Sequence, residues 1–405
     1  MQVLRNIIKK AIQLIWLCKF RIHSFFLPTI LRFSKNTIAF NLDLHISVIA
    51  DLNEQLKKNR IRVIRWSISS HNFVFRKVFK IPDPVEIVNQ SSWRNLNPAL
   101  VVGFNSKYGK ILDKTDFFVI THTPSFVQLY ESYRKPILCI NSTRYEAPYS
   151  KSSNLWRELN NSIKKGYELG YLTIWSNNRL DQSYLKQIVG IESELVPSLC
   201  AYVGCQWKPK KENLIFFAKT EAEQSFLRKK LGDKWVSAHI GLGKNFKYSA
   251  LANVEAVFFL PYQLSTMLLF ELATIGVPVI VPSPRLLKKL KGENLPVLSE
   301  LLHASLSDIR NSLQSQEVPL DWISDLDWWL DKADFYDHVL MPNVIVVESF
   351  EEVEVMQFPI CNQDWIDRIN KRNSYIKNKR DTHFKHFLDK SGISLPEEKS
   401  LKESK

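Results

Sequence analysis

With 405 residues the chain is long enough for two domains of ordinary size, and its 45% hydrophobic and 24% charged content excludes a disordered or fibrous protein. A net charge of +14 points to an anionic partner, either a nucleotide sugar or a membrane surface. No long Lys/Arg block, zinc-finger spacing or RNA-binding signature is present, so nucleic acid is not an expected partner.

The first 42 residues contain seven Lys/Arg and no acid, with apolar clusters at Leu14-Ile15-Trp16-Leu17 and Phe25-Phe26-Leu27. The longest stretch free of Lys and Arg, Ile22 to Leu31, is shorter than the roughly 20 residues of a membrane span. No small-residue cleavage site follows, which disfavours a signal peptide. Residues 1–35 therefore read as a basic amphipathic segment. Two placements stay open: peripheral contact with anionic lipid, or a helix docked on the protein's own surface.

Short apolar runs then alternate with helical patterns. Strands are expected at Thr37–Phe40, Arg62–Ser67, Leu100–Phe104, Phe117–Thr121, Pro136–Asn141 and Leu172–Ser176, with helices at His45–Lys58, Ser125–Tyr133 and Ser153–Leu169. The pattern breaks in a polar, proline-containing stretch at 206–212. A second series follows at Leu214–Ala218, Trp235–His239, Ala256–Leu260, Pro278–Val281 and Val344–Val347. This alternation implies the α/β class: two doubly wound Rossmann-like domains, 36–205 and 212–350, facing a cleft beyond the carboxyl ends of their strands. A basic C-terminal helix is expected within 360–390, with Trp365, Ile369, Arg372 and Ile376 at helical spacing. The polar residues 391–405 form a tail expected to be disordered. The five cysteines are odd in number and include no Cys-x-x-Cys, which fits a reducing, cytoplasmic setting and no metal site.

The densest signal lies between Val257 and Ser283. It reads as a buried strand, a polar turn, a helix stopped at Gly276-Val-Pro278, and a second buried strand. Ser265 and Thr266 fall at the helix start, where hydroxyls and unpaired N–H groups suit an anion. Glu271 sits mid-helix among apolar neighbours and must find hydrogen-bond donors there or bear the cost of desolvation. The bland alternative is a Glu bonded to a nearby backbone group or an Arg. Lys219, His122 and His45 each follow an apolar strand candidate, the position that faces a cleft. Lys219 could neutralise a leaving diphosphate, and the two imidazoles could move a proton. Each has an ordinary reading as well: a solvated lysine, a turn histidine, and an Asp-x-His cap with Asp43. Asp325-Leu-Asp327 reads as a solvated helix face. No Gly-x-Gly-x-x-Gly occurs among the 12 glycines, which argues against a dehydrogenase.

This unit resembles the donor-binding segment of GT-B glycosyltransferases, whose retaining members carry Glu-x7-Glu followed by Ala-x-x-x-Gly-x-Pro-Val. Here the series is Gln263-x7-Glu271, Ala273, Gly276, Pro278 and Val279. The similarity extends in order over about residues 114–283. It takes in Asp116 to Pro124 with His122, Lys135 to Asn141, Leu172 to Ser176, Val196-Pro197-Ser198, and Leu214 to Lys219. The resemblance implies that Glu271 binds the ribose of a nucleotide, that the turn Leu264–Thr266 binds its diphosphate, and that Lys219 stands where the family commonly has an Arg. It places His122 in the acceptor domain, to which His45, read from its position after the first strand, also belongs. Gln263 replaces a Glu that usually contacts the donor sugar, and Asn141 replaces a His. The implied activity moves a sugar from a nucleotide-diphosphate donor to a glycan or glycolipid hydroxyl, without a cofactor or metal. A sugar-nucleotide epimerase of the same fold and a non-catalytic nucleotide-sugar-binding protein remain as alternatives.

Overall fold

A computed structural model describes residues 2–32, 36–44, 46–69, 83–121, 123–146, 149, 151–210, 214–218, 220–243, 246–295, 297–358 and 363–393. The chain opens with one helix, α1 (Gln2–Arg32). The first domain follows with β1 (Ile38–Asp43), α2 (Ile46–Lys58), β2 (Arg62–Ser67), α3 (Pro98–Leu112), β3 (Phe117–Ile120), α4 (Val127–Tyr130), β4 (Ile137–Asn141), α5 (Ser153–Glu168), β5 (Leu172–Ser176), α6 (Arg179–Val189) and β6 (Glu194–Leu195). Its six strands are parallel, in the order β2-β1-β3-β4-β5-β6.

The second domain holds β7 (Leu214–Phe217), α7 (Glu221–Leu231), β8 (Trp235–Ser237), α8 (Ala238–Gly241), α9 (Tyr248–Leu251), β9 (Ala256–Phe259), α10 (Met267–Ile275), β10 (Val279–Pro282), α11 (Pro284–Gly292), α12 (Leu306–Gln314), α13 (Leu326–Asp331), β11 (Val344–Val347) and α14 (Phe350–Val355). Its five strands run parallel in the order β11-β10-β9-β7-β8, the same winding as in the first sheet. In each sheet the strand order reverses once, between β1 and β3 and between β7 and β9, and ligands of open α/β sheets bind beyond the strand ends at such a point. Strands β3, β4, β9 and β10 are buried along their whole length, as expected of parallel strands covered on both faces.

One expected strand is a helix. Leu100–Phe104 lies inside α3, which starts with Pro98 at its first position and with Asn97 accepting a hydrogen bond from the Leu100 N–H. The buried residues Phe104, Tyr108, Ile111 and Leu112 keep helical spacing, while Val102 of the apolar run faces solvent. The short edge strand β6 has no apolar run of its own and escaped the sequence reading.

The N-terminal segment is a helix docked in part on the protein's own surface, one of its two expected placements, but its length and hydropathy differ from expectation. Within α1, Asn6–Leu31 is long and apolar enough, by length and composition, to cross a membrane. Counting only uncharged runs underrates it, because charges spaced along a continuous helix leave its mean hydropathy high. The carboxyl half of α1 packs on the first domain. Leu27 and Leu31 are buried, Phe20 meets Trp66 with ring centroids 5.2 Å apart, and Arg21 pairs with Glu86 at 3.2 Å.

Two elements tie the domains together. The long C-terminal helix α15 (Gln363–Lys390) lays Trp365 and Ile369 on the second domain and Phe384 and Phe387 on the first. Its buried Arg372 donates to the Leu340 and Ser198 carbonyls, one in each domain, and Arg380 pairs with Asp51 at 2.8 Å. The second tie is the excursion 297–341, between α11 and β11. It reaches across to α5 and α6 of the first domain. Arg179 pairs with Asp334 and Asp337 at 3.1 and 3.0 Å, Asn160 donates to Gln316, and Arg157 donates to the Ser315 carbonyl. The Tyr184 ring packs edge-on against Trp322. The expected tail lies outside the described residues from 394 onward.

Candidate functional site

The turn after β9 sets the site. Leu264 turns its side chain into the core, Thr266 caps α10 by accepting from the Leu269 N–H at 3.4 Å, and the helix ends at Gly276 with φ of 88°. The first N–H groups of such a helix have no intrahelical acceptor. The returning segment 298–300 hydrogen-bonds to this turn, Leu298 N–H to the Pro261 carbonyl and Glu300 N–H to that of Tyr262, both at 2.8 Å. That pairing brings Glu300 and His303 over the start of α10.

Between the two sheets lies a cavity of about 360 Å³. The second domain contributes Tyr262, Gln263, Ser265, Thr266, Met267, Leu268, Glu271, Glu300 and His303; the first contributes Ser47, Val48, Ser142, Thr143 and Asn177. A second cavity of about 430 Å³ shares Thr143, Glu300 and His303 with it and adds Trp93, Arg94, Thr123, Arg144 and Leu302. Thr143 Oγ1 and His303 Nε2, 2.6 Å apart, bridge the domains along that shared wall. The Glu146 carboxylate accepts the His303 backbone N–H and, at 3.0 Å, the Tyr184 hydroxyl. Burial holds the His303 imidazole below its usual range, so it is neutral near pH 7.

Glu271 is only 7% exposed, yet it lines the first cavity. Its partners are the hydroxyls of Tyr202, at 2.5 Å, and Tyr248, at 3.0 Å, both donating to Oε1. Burial pushes its carboxyl up to about 7, against the pull of the two tyrosine bonds. The carboxylate thus already holds two hydroxyl donors, and neither engages its second oxygen.

Gln263 lies on the same wall. Its Oε1 accepts from Arg144 Nη2 across the cleft at 2.9 Å, and Arg144 is itself paired with the fully buried Asp181 at 3.1 Å. With the carbonyl so engaged, the side-chain NH₂ is what Gln263 can offer the cavity: a donor for a hydroxyl oxygen, and no base. Asn141 is not on this wall. It is buried, with its amide donating to Ser176 Oγ and the Asp181 carbonyl, and it ties β4 to α6.

Of the residues expected from the sequence, Gln263, Ser265, Thr266 and Glu271 come together on one cavity, and Leu264 supports them from the core. His45, His122 and Lys219 lie outside the described residues. Among the described residues, Leu44 follows β1, Thr121 and Thr123 follow β3, and Ala218 follows β7, at strand ends where the sheet orders reverse. Sequence reading gave His303 and the two tyrosines no role. No spacing announces them, because each comes from a different element.

No family model matches the chain, and no curated protein matches it in sequence. Several solved structures are similar to it. The UDP-GlcNAc 2-epimerase from Methanocaldococcus jannaschii has a TM-score of 0.46 at 10% identity, over 85% of this chain and 99% of that one. The glycotransferase of kitacinnamycin has a TM-score of 0.43 at 10% identity, over 88% of this chain and 99% of that one. HepE of Anabaena, in complex with UDP and glucose, has a TM-score of 0.42 at 11% identity, over 89% of this chain and 100% of that one.

Proposed function

We propose that the chain is a GT-B-type glycosyltransferase that moves a sugar from a nucleotide-diphosphate donor to an acceptor hydroxyl, in surface polysaccharide or glycolipid synthesis. The observation that carries this reading is Glu271: a buried carboxylate on a cavity wall, one turn past a capped helix start, already holding hydroxyl donors on one oxygen. A ribose diol supplies hydroxyl donors of the same kind, and the N–H groups at the start of α10 suit the diphosphate that follows. Lys219, next in the chain after β7 and Ala218, is the cation proposed for the leaving diphosphate. His122 and His45 are proposed to accept the acceptor's proton. Gln263 would donate its amide N–H to the donor sugar. The second cavity, with Trp93 and Arg94, would receive the acceptor. No cofactor or metal has a role in this scheme.

A panel of UDP-, GDP- and other nucleotide sugars, read by thermal shift and donor hydrolysis, tests it. A donor at a hundredfold above its Kd stabilises by about 2.7 kcal/mol, several degrees of melting temperature. The shift is expected to vanish in Glu271→Ala and to shrink with a 2′-deoxynucleotide. If no nucleotide sugar or nucleoside diphosphate raises the melting point of the wild-type chain, the transferase reading fails.

A further inference from the structure

Among the described side chains of α1, nine large apolar ones are exposed, and they do not scatter around it. At about 100° per residue, Leu4, Ile8, Ile15, Ile22 and Phe26 fall on nearly one line, and Ile7, Leu14 and Phe25 run beside it. With Ile30 they fill one arc of roughly 160° along the helix. The residues that pack on the first domain, Phe20, Leu27 and Leu31, lie on the opposite face. Docking covers one side of the carboxyl half of α1 and leaves the apolar stripe on the other, at exposures of 46% to 78%. Lys10 flanks the stripe on one margin and Lys19 lies at its other edge, between the lines of Phe26 and Ile30, both exposed, and no acid occurs from residue 2 to 32.

We infer that this stripe is a membrane-docking surface, and that α1 lies in the plane of an anionic bilayer with Leu4 to Ile30 in the headgroup–acyl boundary. Lysines flanking an apolar face complement acidic headgroups. A second copy of the chain is a poorer occupant, since two such helices would bring cation against cation. A crossing orientation is opposed by the docking itself: residues from Phe20 onward are fixed to the domain, and Lys9 and Lys10 fall in the middle of what remains. The inference rests on α1 alone and does not depend on sugar transfer.

Co-sedimentation of the full chain with vesicles tests it. Vesicles of phosphatidylcholine with phosphatidylglycerol are expected to bind the protein, and pure phosphatidylcholine to bind it far less. High salt is expected to weaken the binding. Ile15→Glu with Phe26→Glu should lower affinity at least tenfold while leaving the melting temperature unchanged, since both side chains face solvent. Lys10→Ala and Lys19→Ala should cost about fivefold each. Absence of binding to the anionic vesicles, or binding that the two glutamates leave intact, overturns the inference. So does a dimer in solution that the glutamates dissociate, and a vesicle-bound protein that resists alkaline carbonate extraction refutes the in-plane placement.

Discussion

Glu271 shows how one carboxylate can be legible in a sequence while its chemistry is not. Its place between Thr266 and Gly276 can be read directly, because helix start, helix stop and a charge among apolar residues are all local signals. Its hydroxyl donors are 69 and 23 residues away, and Arg144 reaches Gln263 over a separation of 119. Such pairings are set by how strands order in the sheets, which no spacing encodes. The burial of Glu271 has a consequence for pH. Its folded value of about 7 lies above the ordinary 4.5, so between those values the folded chain holds a proton that the unfolded chain has released. Stability from this group is therefore full below about pH 4.5, falls as pH rises, and levels off above about 7. Relative to Glu271→Gln, which cannot titrate, the wild type is expected to lose roughly 3 kcal/mol across that range. Urea unfolding of both proteins at mildly acid and mildly alkaline pH measures the difference; a constant gap would mean that the carboxylate is not held in a buried, protonated state.

At the scale of elements, α10 is fixed at both ends. Thr266 caps its start, and Gly276 closes it in a left-handed conformation. A Cβ at Gly276 would sit 3.2 Å from Ile369 of α15, and the Gly276 carbonyl accepts from the Trp365 indole at 2.9 Å. Gly276→Ala is thus expected to cost about 1–3 kcal/mol, through strain at positive φ and a crowded helix contact. Equilibrium denaturation reads this out, and a change below a few tenths would show that α15 yields freely there. Strands such as Pro136–Asn141 and Ala256–Leu260 could be placed to within one residue because buried parallel strands are continuous apolar runs bounded by turns. The same logic misplaces Leu100–Phe104, where Pro98 and the Asn97 cap outweigh a β-branched pair. Apolar content alone does not separate a buried strand from a helix face.

At the scale of the whole molecule, the two repeated windings were visible in the alternation of runs, whereas the bridge between them was not. The excursion 297–341 looks like an ordinary run of short helices and tryptophans. Only the fold shows that Trp322 and Trp329 meet Tyr184 of the other domain. One apolar cluster, which includes these rings, spans both domains. Unfolding by heat or urea is accordingly expected to be a single cooperative transition, with equal calorimetric and van't Hoff enthalpies. Two separated transitions would show that the domains melt independently despite the shared core.

The same bridge bears on how the cleft works. Enzymes built from two lobes often complete their site by swinging shut on the substrate, and part of the binding energy is then drawn off to drive that motion. In this chain Arg179, Asn160 and the tryptophans hold the lobes together through contacts of their own, none of which involves the cleft. The alignment of the Glu271 wall with the Thr143 wall is thus settled during folding. A ligand that fits has little rearrangement to drive, and more of its contact energy remains for affinity.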